Sequence, residues 1–393
     1  MSTWMIPYDR LDTAQKNFVN SYADGRSTRN SWVCGYAGSG KSLLLVHVLK
    51  RIKEDNERRG VHKTYAVVVF TRALGDLFKT GFSELGIRDI PIMTQFELRR
   101  RIGKFDYIFC DEIQDMSKET LEMIKSKAYT VIAAGDSNQS IYSMDLMTQT
   151  DTIRGTEALT ILDAEQKELN IIYRLTQSII SAVKRLMPNM ARNWTAQEDL
   201  TKVDVQIELR KATSIASETD FVYNDATNCS SRGERTAVLF PKHDQILAFI
   251  SRILTKEGKP QWDVTLDNFG RPNYNSLNDH LSRHGIPMMY IGNSYGSLES
   301  AQRSDKVIIM TYSSSKGLDF ENVYMPCVTN GMHITHNATL DRATFMVAMT
   351  RSSHFLTISY TGTPSEYVRA FRDTCHFTDE AQRAARSNND SIF

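Results

Sequence analysis

The segment Gly35-Tyr-Ala-Gly-Ser-Gly-Lys41-Ser42 leaves few folds open to this chain. It is a G-x-x-x-x-G-K-S phosphate loop, preceded by the short apolar run Ser31–Cys34 and followed by the apolar helical run Leu43–Leu49. Gly35, Gly38, Ser39 and Gly40 let backbone N–H groups turn inward around phosphate oxygens, and a helix N-terminus adds partial positive charge. In such a loop Lys41 reaches the β- and γ-phosphates and the Ser42 hydroxyl ligates Mg²⁺. A strand, a loop and a helix in that order predict an α/β domain with ligands at the carboxyl ends of parallel strands.

The pattern repeats along the chain. Ser31–Cys34, Thr64–Phe70, Pro91–Thr94, Tyr107–Cys110 and Thr130–Ala134 read as buried strands, with helical stretches between them. A second alternating region begins near Thr236, with Ala237–Phe240, Pro287–Ile291, Lys306–Met310, Asn322–Pro326 and Phe355–Tyr360 as strands. Residues Thr213–Glu234 are polar and poorly periodic. The expected organisation is a first domain over 1–165, a second over 166–380 with a small helical insert, and a flexible tail over 381–393.

Composition narrows the classes further. With 41% hydrophobic residues and a net charge of +1, the chain has ordinary core-forming material and no global basic excess. Five scattered cysteines without C-x-x-C spacing argue against a disulfide framework or zinc site and fit a reducing cytoplasm. The amino-terminal residues carry no cationic and apolar leader pattern, and the longest apolar runs are strand-sized, so no membrane is expected as partner.

Two further segments carry chemistry. Asp111-Glu-Ile-Gln-Asp115 follows an apolar strand, so Asp111 is placed to hold Mg²⁺ and Glu112 to orient and activate water. Gly135–Tyr142 follows the next strand, and within it Gln139 is an amide suited to sensing a γ-phosphate.

The combination resembles the UvrD/Rep-like superfamily 1 helicases, motor ATPases with two tandem RecA-like domains and an ATP site in the cleft between them. The resemblance runs from about Leu11 to Ile358. Leu11-Asp-Thr-Ala-Gln15 looks like the family's adenine-reading glutamine motif, and Phe70-Thr-Arg72 like its strand-end contact to single-stranded DNA. Asp111–Asp115 matches D-E-x-Q-D, and Gly135–Tyr142 matches G-D-x-x-Q-S-I-Y. Ile172-Tyr173-Arg174 resembles N-Y-R, Thr311–Phe320 resembles T-x-H-x-x-K-G-L-E-F, and Val347–Arg351 matches V-A-x-T-R. The family implies that Gln15 bonds the adenine edge and Tyr173 stacks on its face. It implies that Arg174 and Arg351 reach the γ-phosphate from the second domain, and that Gly317 and Asp319 serve the nucleotide, Asp319 replacing a ribose-binding Glu. It also implies nucleic-acid contacts by Phe70, Thr71, Arg72, Tyr142, Thr311 and Tyr312. ATP and Mg²⁺ are the implied cofactors, and single-stranded nucleic acid, DNA before RNA, the implied partner, tracked 3′ to 5′.

Three departures qualify the match. Ser143-Met144-Asp145 stands where the family continues G-W-R-G, which removes a base-stacking tryptophan and places Asp145 where the family has a cation. Ser313 replaces the histidine that links nucleotide state to the DNA site. Only 35 positions separate Arg72 from Tyr107, too few for the family's first large insert. The expectation is a minimal helicase or translocase. The alternatives are an ATPase subunit serving a protein partner such as a nuclease, or a nucleotide-gated binding module. Of the remaining features, Arg99-Arg-Arg101 with Lys104 reads first as a solvated helix end, with phosphate contact as the other reading. His280/His284 and His333/His336 read as ordinary polar positions, and Trp194 and Trp262 as packing residues.

Overall fold

The computed structural model describes residues 4–23, 29–136, 139–145, 147–189, 197–198, 202–268, 270–335 and 337–382. Trp194, His336 and residues 383–393 of the expected tail lie outside the described residues. The chain divides into two compact α/β units, Met1–Arg174 with Thr195–Asp199, and Leu175–Trp194 with Leu200–Phe393.

The first unit is built on a six-stranded parallel sheet. Its strands are β1 (Asn30–Gly35), β2 (Tyr65–Val69), β3 (Ile92–Thr94), β4 (Phe105–Cys110), β5 (Ala128–Gly135) and β6 (Ala164–Leu169), in the order β3-β2-β4-β5-β1-β6. Strands β2, β4 and β5 are continuous apolar runs because helices cover both faces of a parallel sheet. Helices α2 (Lys41–Arg58), α3 (Arg72–Glu84), α4 (Gln95–Arg99), α5 (Lys118–Ser126) and α6 (Glu157–Leu162) supply that cover, and α1 (Thr13–Asn20) precedes β1. Caps mark where the helices begin: the Thr71 and Ser117 side chains accept from the N–H groups of Leu74 and Thr120. One core lies against the face carrying Trp32, Val68, Ile108, Cys110 and Val131, closed by Leu121, Ile124, Ala158 and Leu162.

The first unit extends past the expected boundary at 165. The polar segment Ala164–Leu169 pairs with β1 along its whole length as the edge strand. The backbone N–H groups of Tyr173 and Arg174 then both bond the Gly38 carbonyl, at 3.0 and 3.3 Å. These bonds tie Arg174 to the first unit rather than the second. A short pair, β7 (Ile171–Ile172) with β8 (Gln197–Glu198), completes the unit.

The second unit holds a seven-stranded sheet whose paired strands all run parallel. Its members are β9 (Glu208–Ala212), β10 (Thr236–Phe240), β11 (Met288–Tyr290), β12 (Val307–Thr311), β13 (Phe320–Met325), β14 (Ser352–Thr361) and β15 (His376–Asp379), in the order β11-β12-β10-β13-β14-β9-β15. The polar stretch after Thr213 is a helix, Ile215–Ser231, and it is part of the core. Its buried face includes Glu218, whose Oε1 accepts from Ser359 Oγ at 2.7 Å and from the Cys327 N–H at 3.1 Å. Val222, Tyr223 and Ala226 enter the core from that face, and hydrogen bonds let Glu218 be buried beside them. Trp262 packs against the same core and donates to Ser276 Oγ. Among the described residues no helix is long and apolar enough to cross a membrane.

Candidate functional site

The phosphate loop turns between β1 and α2. Gly38 has φ of +78°, and a Cβ there would stand 2.7 Å from Arg174 Cβ, so both conformation and space demand glycine. Gly40, at φ of +87°, caps α2, whose first residues are Lys41 and Ser42. Lys41 Nζ donates to the carbonyls of Gly35 at 2.7 Å and Tyr36 at 3.1 Å. These bonds hold the ammonium across the mouth of the loop with one of its three donors to spare. Ser39 Oγ is buried without a hydrogen-bond partner. Cys34 beside the loop is no nucleophile, because burial pushes its thiol up to about 12.

Asp111 leaves the end of β4 beside this loop and is fully buried. Its Oδ1 accepts the Glu112 N–H at 2.9 Å, while Oδ2 has no hydrogen-bond partner. Burial first, and the Glu112 charge second, push the Asp111 carboxyl up to about 7; the Ser42 hydroxyl and Lys41 act in the opposite direction. A buried carboxylate oxygen without a partner, next to a serine hydroxyl, is a donor set that fits a hydrated Mg²⁺. The ion would be held by Asp111 and Ser42 and would lower the cost of that buried charge.

Glu112 stands in the left-handed region at φ of +56°, where a side chain carries strain. The turn brings it to Gln114, whose Nε2 donates to Glu112 Oε2. Gln114 Oε1 in turn accepts the Asp136 N–H at 3.0 Å, and Gln139 Nε2 donates to Asp136 Oδ2 at 2.6 Å. A continuous polar chain therefore runs from the candidate base to the candidate γ-phosphate sensor. Gln114 and Asp136 were not singled out by sequence reasoning, although both lie inside the matched motifs.

Gln15 and Tyr173 converge on the same loop through Asp12. Asp12 and Gln15 form a capping box on α1, with Gln15 N to Asp12 Oδ1 at 2.8 Å and Asp12 N to Gln15 Oε1 at 3.2 Å. Gln15 Nε2 lies beside Gly40, and the Tyr173 hydroxyl donates to Asp12 Oδ2. The carboxamide oxygen of Gln15 is thus committed to its own helix, and only its N–H₂ end faces the loop.

Phe70 is buried and packs against Tyr142, with ring centroids 5.1 Å apart. Burial, then the charges of Asp115 and Glu112, raise the Tyr142 phenol above its ordinary value. Tyr142 therefore touches the acidic strand end on one side and the strand-end motif on the other. Thr71 is spent as a helix cap, and Arg72 is exposed. Asp145 departs from expectation. It is fully buried, its Oδ2 accepts the Ser117 N–H at 2.8 Å, and its Oδ1 accepts the N–H groups of Met147 and Thr148 at 2.6 and 3.3 Å. Its charge is satisfied inside a loop and is not displayed to a strand of nucleic acid; the exposed residues before it are Ser143 and Met144.

The second unit treats its motif residues differently. Tyr312 is fully buried and meets Phe345 edge-on at 6.0 Å, so it offers no face to a base. Thr311 Oγ1 bonds Ser314 at 2.9 Å. Asp319 pairs with Arg235 at 3.2 Å. Gly317 has φ of +78° in the turn before β13. Arg351 is buried and donates to the carbonyls of Val347 and Leu318, at 2.8 and 3.0 Å, and to Thr350 Oγ1 at 3.0 Å.

Comparison with known proteins follows this division. An AAA domain family matches residues 20–145, and the UvrD-like helicase C-terminal domain family matches residues 274–363. No curated protein matches the chain. Among solved structures, the arterivirus nonstructural protein 10 helicase is 15% identical over 88% of this chain and 61% of its own, with a TM-score of 0.41. The same arterivirus protein in complex with DNA is 15% identical over 91% and 65%, with a TM-score of 0.42. The PRRSV helicase is 14% identical over 88% and 54%, also at 0.42. The chain spans less than two thirds of the length of each of these structures. Two parallel-sheet domains, a phosphate loop facing an acidic strand end, and two matched domain families in chain order give this chain an AAA domain followed by a UvrD-like helicase C-terminal domain.

Proposed function

We propose that this chain hydrolyses ATP at the first-domain site and uses the cycle to move along single-stranded nucleic acid as a helicase or translocase. One observation carries the hydrolytic reading: Asp111 Oδ2, fully buried and without a partner, stands beside Ser42 at the head of the phosphate loop. Backbone N–H groups of Gly38 to Ser42 and the Lys41 ammonium hold the β- and γ-phosphates. Glu112 takes a proton from the attacking water, and the Gln114–Asp136–Gln139 chain fixes its orientation. Bound at Asp111 and Ser42, Mg²⁺ supplies charge neutralisation for the transferring phosphoryl group. On the family resemblance the strand is DNA and the direction 3′ to 5′.

A second reading is favoured by the turn after Tyr142. It exposes Ser143 and Met144 rather than an aromatic platform, and base–aromatic stacking is worth about 1–3 kcal/mol per base. A weaker grip on the strand suits a motor subunit that unwinds little by itself and serves a protein partner.

The test measures ATP hydrolysis with and without single strands, then displacement of a strand from duplexes bearing a 3′ or a 5′ tail. Stimulation by single strands and displacement from a 3′ tail are expected. Stimulation without displacement selects the partner-dependent motor. Absence of hydrolysis with and without strands overturns the reading, and a 5′ preference overturns the direction.

A further inference from the structure

We infer that the run Arg99–Lys104, with Tyr129 and Lys127, is a second docking surface for single-stranded nucleic acid, at the amino-terminal ends of β4 and β5, the end of the first sheet opposite the ATP site. The run leaves α4 and enters β4 at Phe105, and Tyr129 stands at the start of β5. The site built on Asp111 lies at the other end of β4, a strand of six residues, roughly 20 Å away at 3.3 Å per residue.

A solvated helix end does not account for this surface. Arg99, Arg100, Arg101 and Lys104 are all exposed, and none of them makes an ion pair among the described residues. Elsewhere in this unit Arg29, Lys53, Arg58, Lys63, Lys79 and Lys167 all have carboxylate partners. The carboxylates flanking the run are already engaged. Glu97 caps α4 through the Thr94 N–H at 2.7 Å, and Asp106 is held by Lys63 and Thr64. At the centre of the cations Ile102 is fully exposed. The loop is nevertheless fixed, because Lys127 Nζ donates to the Arg101 carbonyl at 2.5 Å and the Phe105 N–H bonds the Lys127 carbonyl at 2.8 Å. Four cations within six positions, none with a carboxylate partner among the described residues, make a local positive surface that suits a polyanion.

The aromatic component selects nucleic acid over an acidic polypeptide. Tyr129 is 73% exposed, and Lys104 Nζ lies over its ring, 5.5 Å from the centroid, so an exposed aromatic and a cation share one patch. Stacking on such a ring serves a base and has no counterpart in a carboxylate chain. A hollow of about 410 Å³ is walled by Pro91, Ile92 and Met93 and rimmed by Arg100 and Arg101, with Glu97, already committed to the Thr94 N–H, in its lining. Planar guanidinium forks match phosphodiester oxygens, and a base unstacked from its neighbours fits the hollow. The surface lengthens the strand's path beyond the strand-end contacts and offsets the missing aromatic at Met144.

The experiment is anisotropy of labelled oligo-dT and oligo-U, long and short, bound to the full chain across a series of salt concentrations. In R100A/R101A/K104A the slope of log affinity against log salt for long strands is expected to fall by about 2, at about 0.7 for each phosphate no longer neutralised. Affinity at low salt is expected to fall about tenfold to a hundredfold. Strand-free ATP hydrolysis and the melting temperature stay unchanged, R100K/R101K keeps the slope, and Y129A weakens binding without changing it. Weaker binding of either oligo-dT or oligo-U supports the proposal. An unchanged slope overturns it, as does binding of polyglutamate, but not of oligonucleotide, that depends on the same three residues. Lys41→Ala separates this inference from the motor reading, since a chain that cannot hydrolyse ATP must still show the same salt-dependent term.

Discussion

The motif residues of the first domain are left chemically open, whereas those of the second are spent on their own fold. In the first, Asp111 Oδ2 and Ser39 Oγ are buried without partners, Glu112 is held in a strained conformation, and Lys41 keeps a donor to spare. In the second, Arg351 already donates to three acceptors, Asp319 is paired with Arg235, and Thr311 is bonded to Ser314; Tyr312 is sealed in the core, although its hydroxyl has no hydrogen-bond partner there. A matched motif therefore fixes where a residue lies along the chain without saying whether its side chain is free. Any role outside the second domain would require Arg351 to give up bonds that stabilise that domain.

The largest effect that tests this contrast is on hydrolysis. Lys41→Ala or Glu112→Gln is expected to lower the ATPase rate about 10³-fold, the scale of removing one preorganised charge-stabilising or proton-accepting group. Melting should shift little, and Glu112→Gln should not destabilise. A large loss of stability in either variant would place these residues with the spent ones. Arg351→Ala should do the opposite. It removes a buried cation from three acceptors and should cost about 4 kcal/mol in second-domain stability, read as a lower unfolding midpoint in urea. An unchanged midpoint with lost activity would show that the fold does not need this arginine and would erase the contrast.

How much was legible beforehand follows the same physics. The strands Thr64–Phe70 and Tyr107–Cys110 could be read because a parallel sheet buries both faces of its central members. The phosphate loop and Asp111–Glu112 could be read because their chemistry tolerates few residue types at fixed spacing. The edge strand Ala164–Leu169 was illegible: it carries Glu165, Gln166, Lys167 and Glu168, since one side faces water. The helix Ile215–Ser231 was illegible because its buried face mixes apolar residues with Glu218 and Ser230, satisfied by distant partners, and Thr219, which bonds its own helix. Arg174's place beside Gly38 depends on backbone bonds that no side-chain pattern encodes. Asp145 is the sharpest case, since an aspartate in a motif gap looks like surface charge until its three N–H partners are seen.

Asp145 also crosses the comparison, being a first-domain residue spent on its fold. Asp145→Ala should destabilise the first domain by about 3 kcal/mol, because three N–H groups lose a charged acceptor. Asp145→Asn, which keeps one acceptor oxygen, should cost less. Urea midpoints of the two variants decide the matter; equal, near-zero shifts would mean the carboxylate serves something outside the loop.

The smallest effect concerns Glu218, the second domain's buried acid. Burial raises its carboxyl above the ordinary glutamate value, more than the Ser359 and Cys327 bonds and Arg252 lower it. A raised folded-state value means the folded chain holds its proton more tightly than the unfolded one. The stability this contributes is complete below the unfolded value and is lost as pH rises through the folded value. Glu218→Gln keeps an oxygen for the Ser359 hydroxyl and Cys327 N–H but cannot ionise. Its stability relative to the native chain should therefore improve between pH 5 and pH 8, the direction that a raised folded-state value sets. Thermal unfolding of both chains at the two pH values measures it. A difference independent of pH would mean that Glu218 is ionised at no cost, in which case this acid belongs with the open residues of the first domain and not with its neighbours.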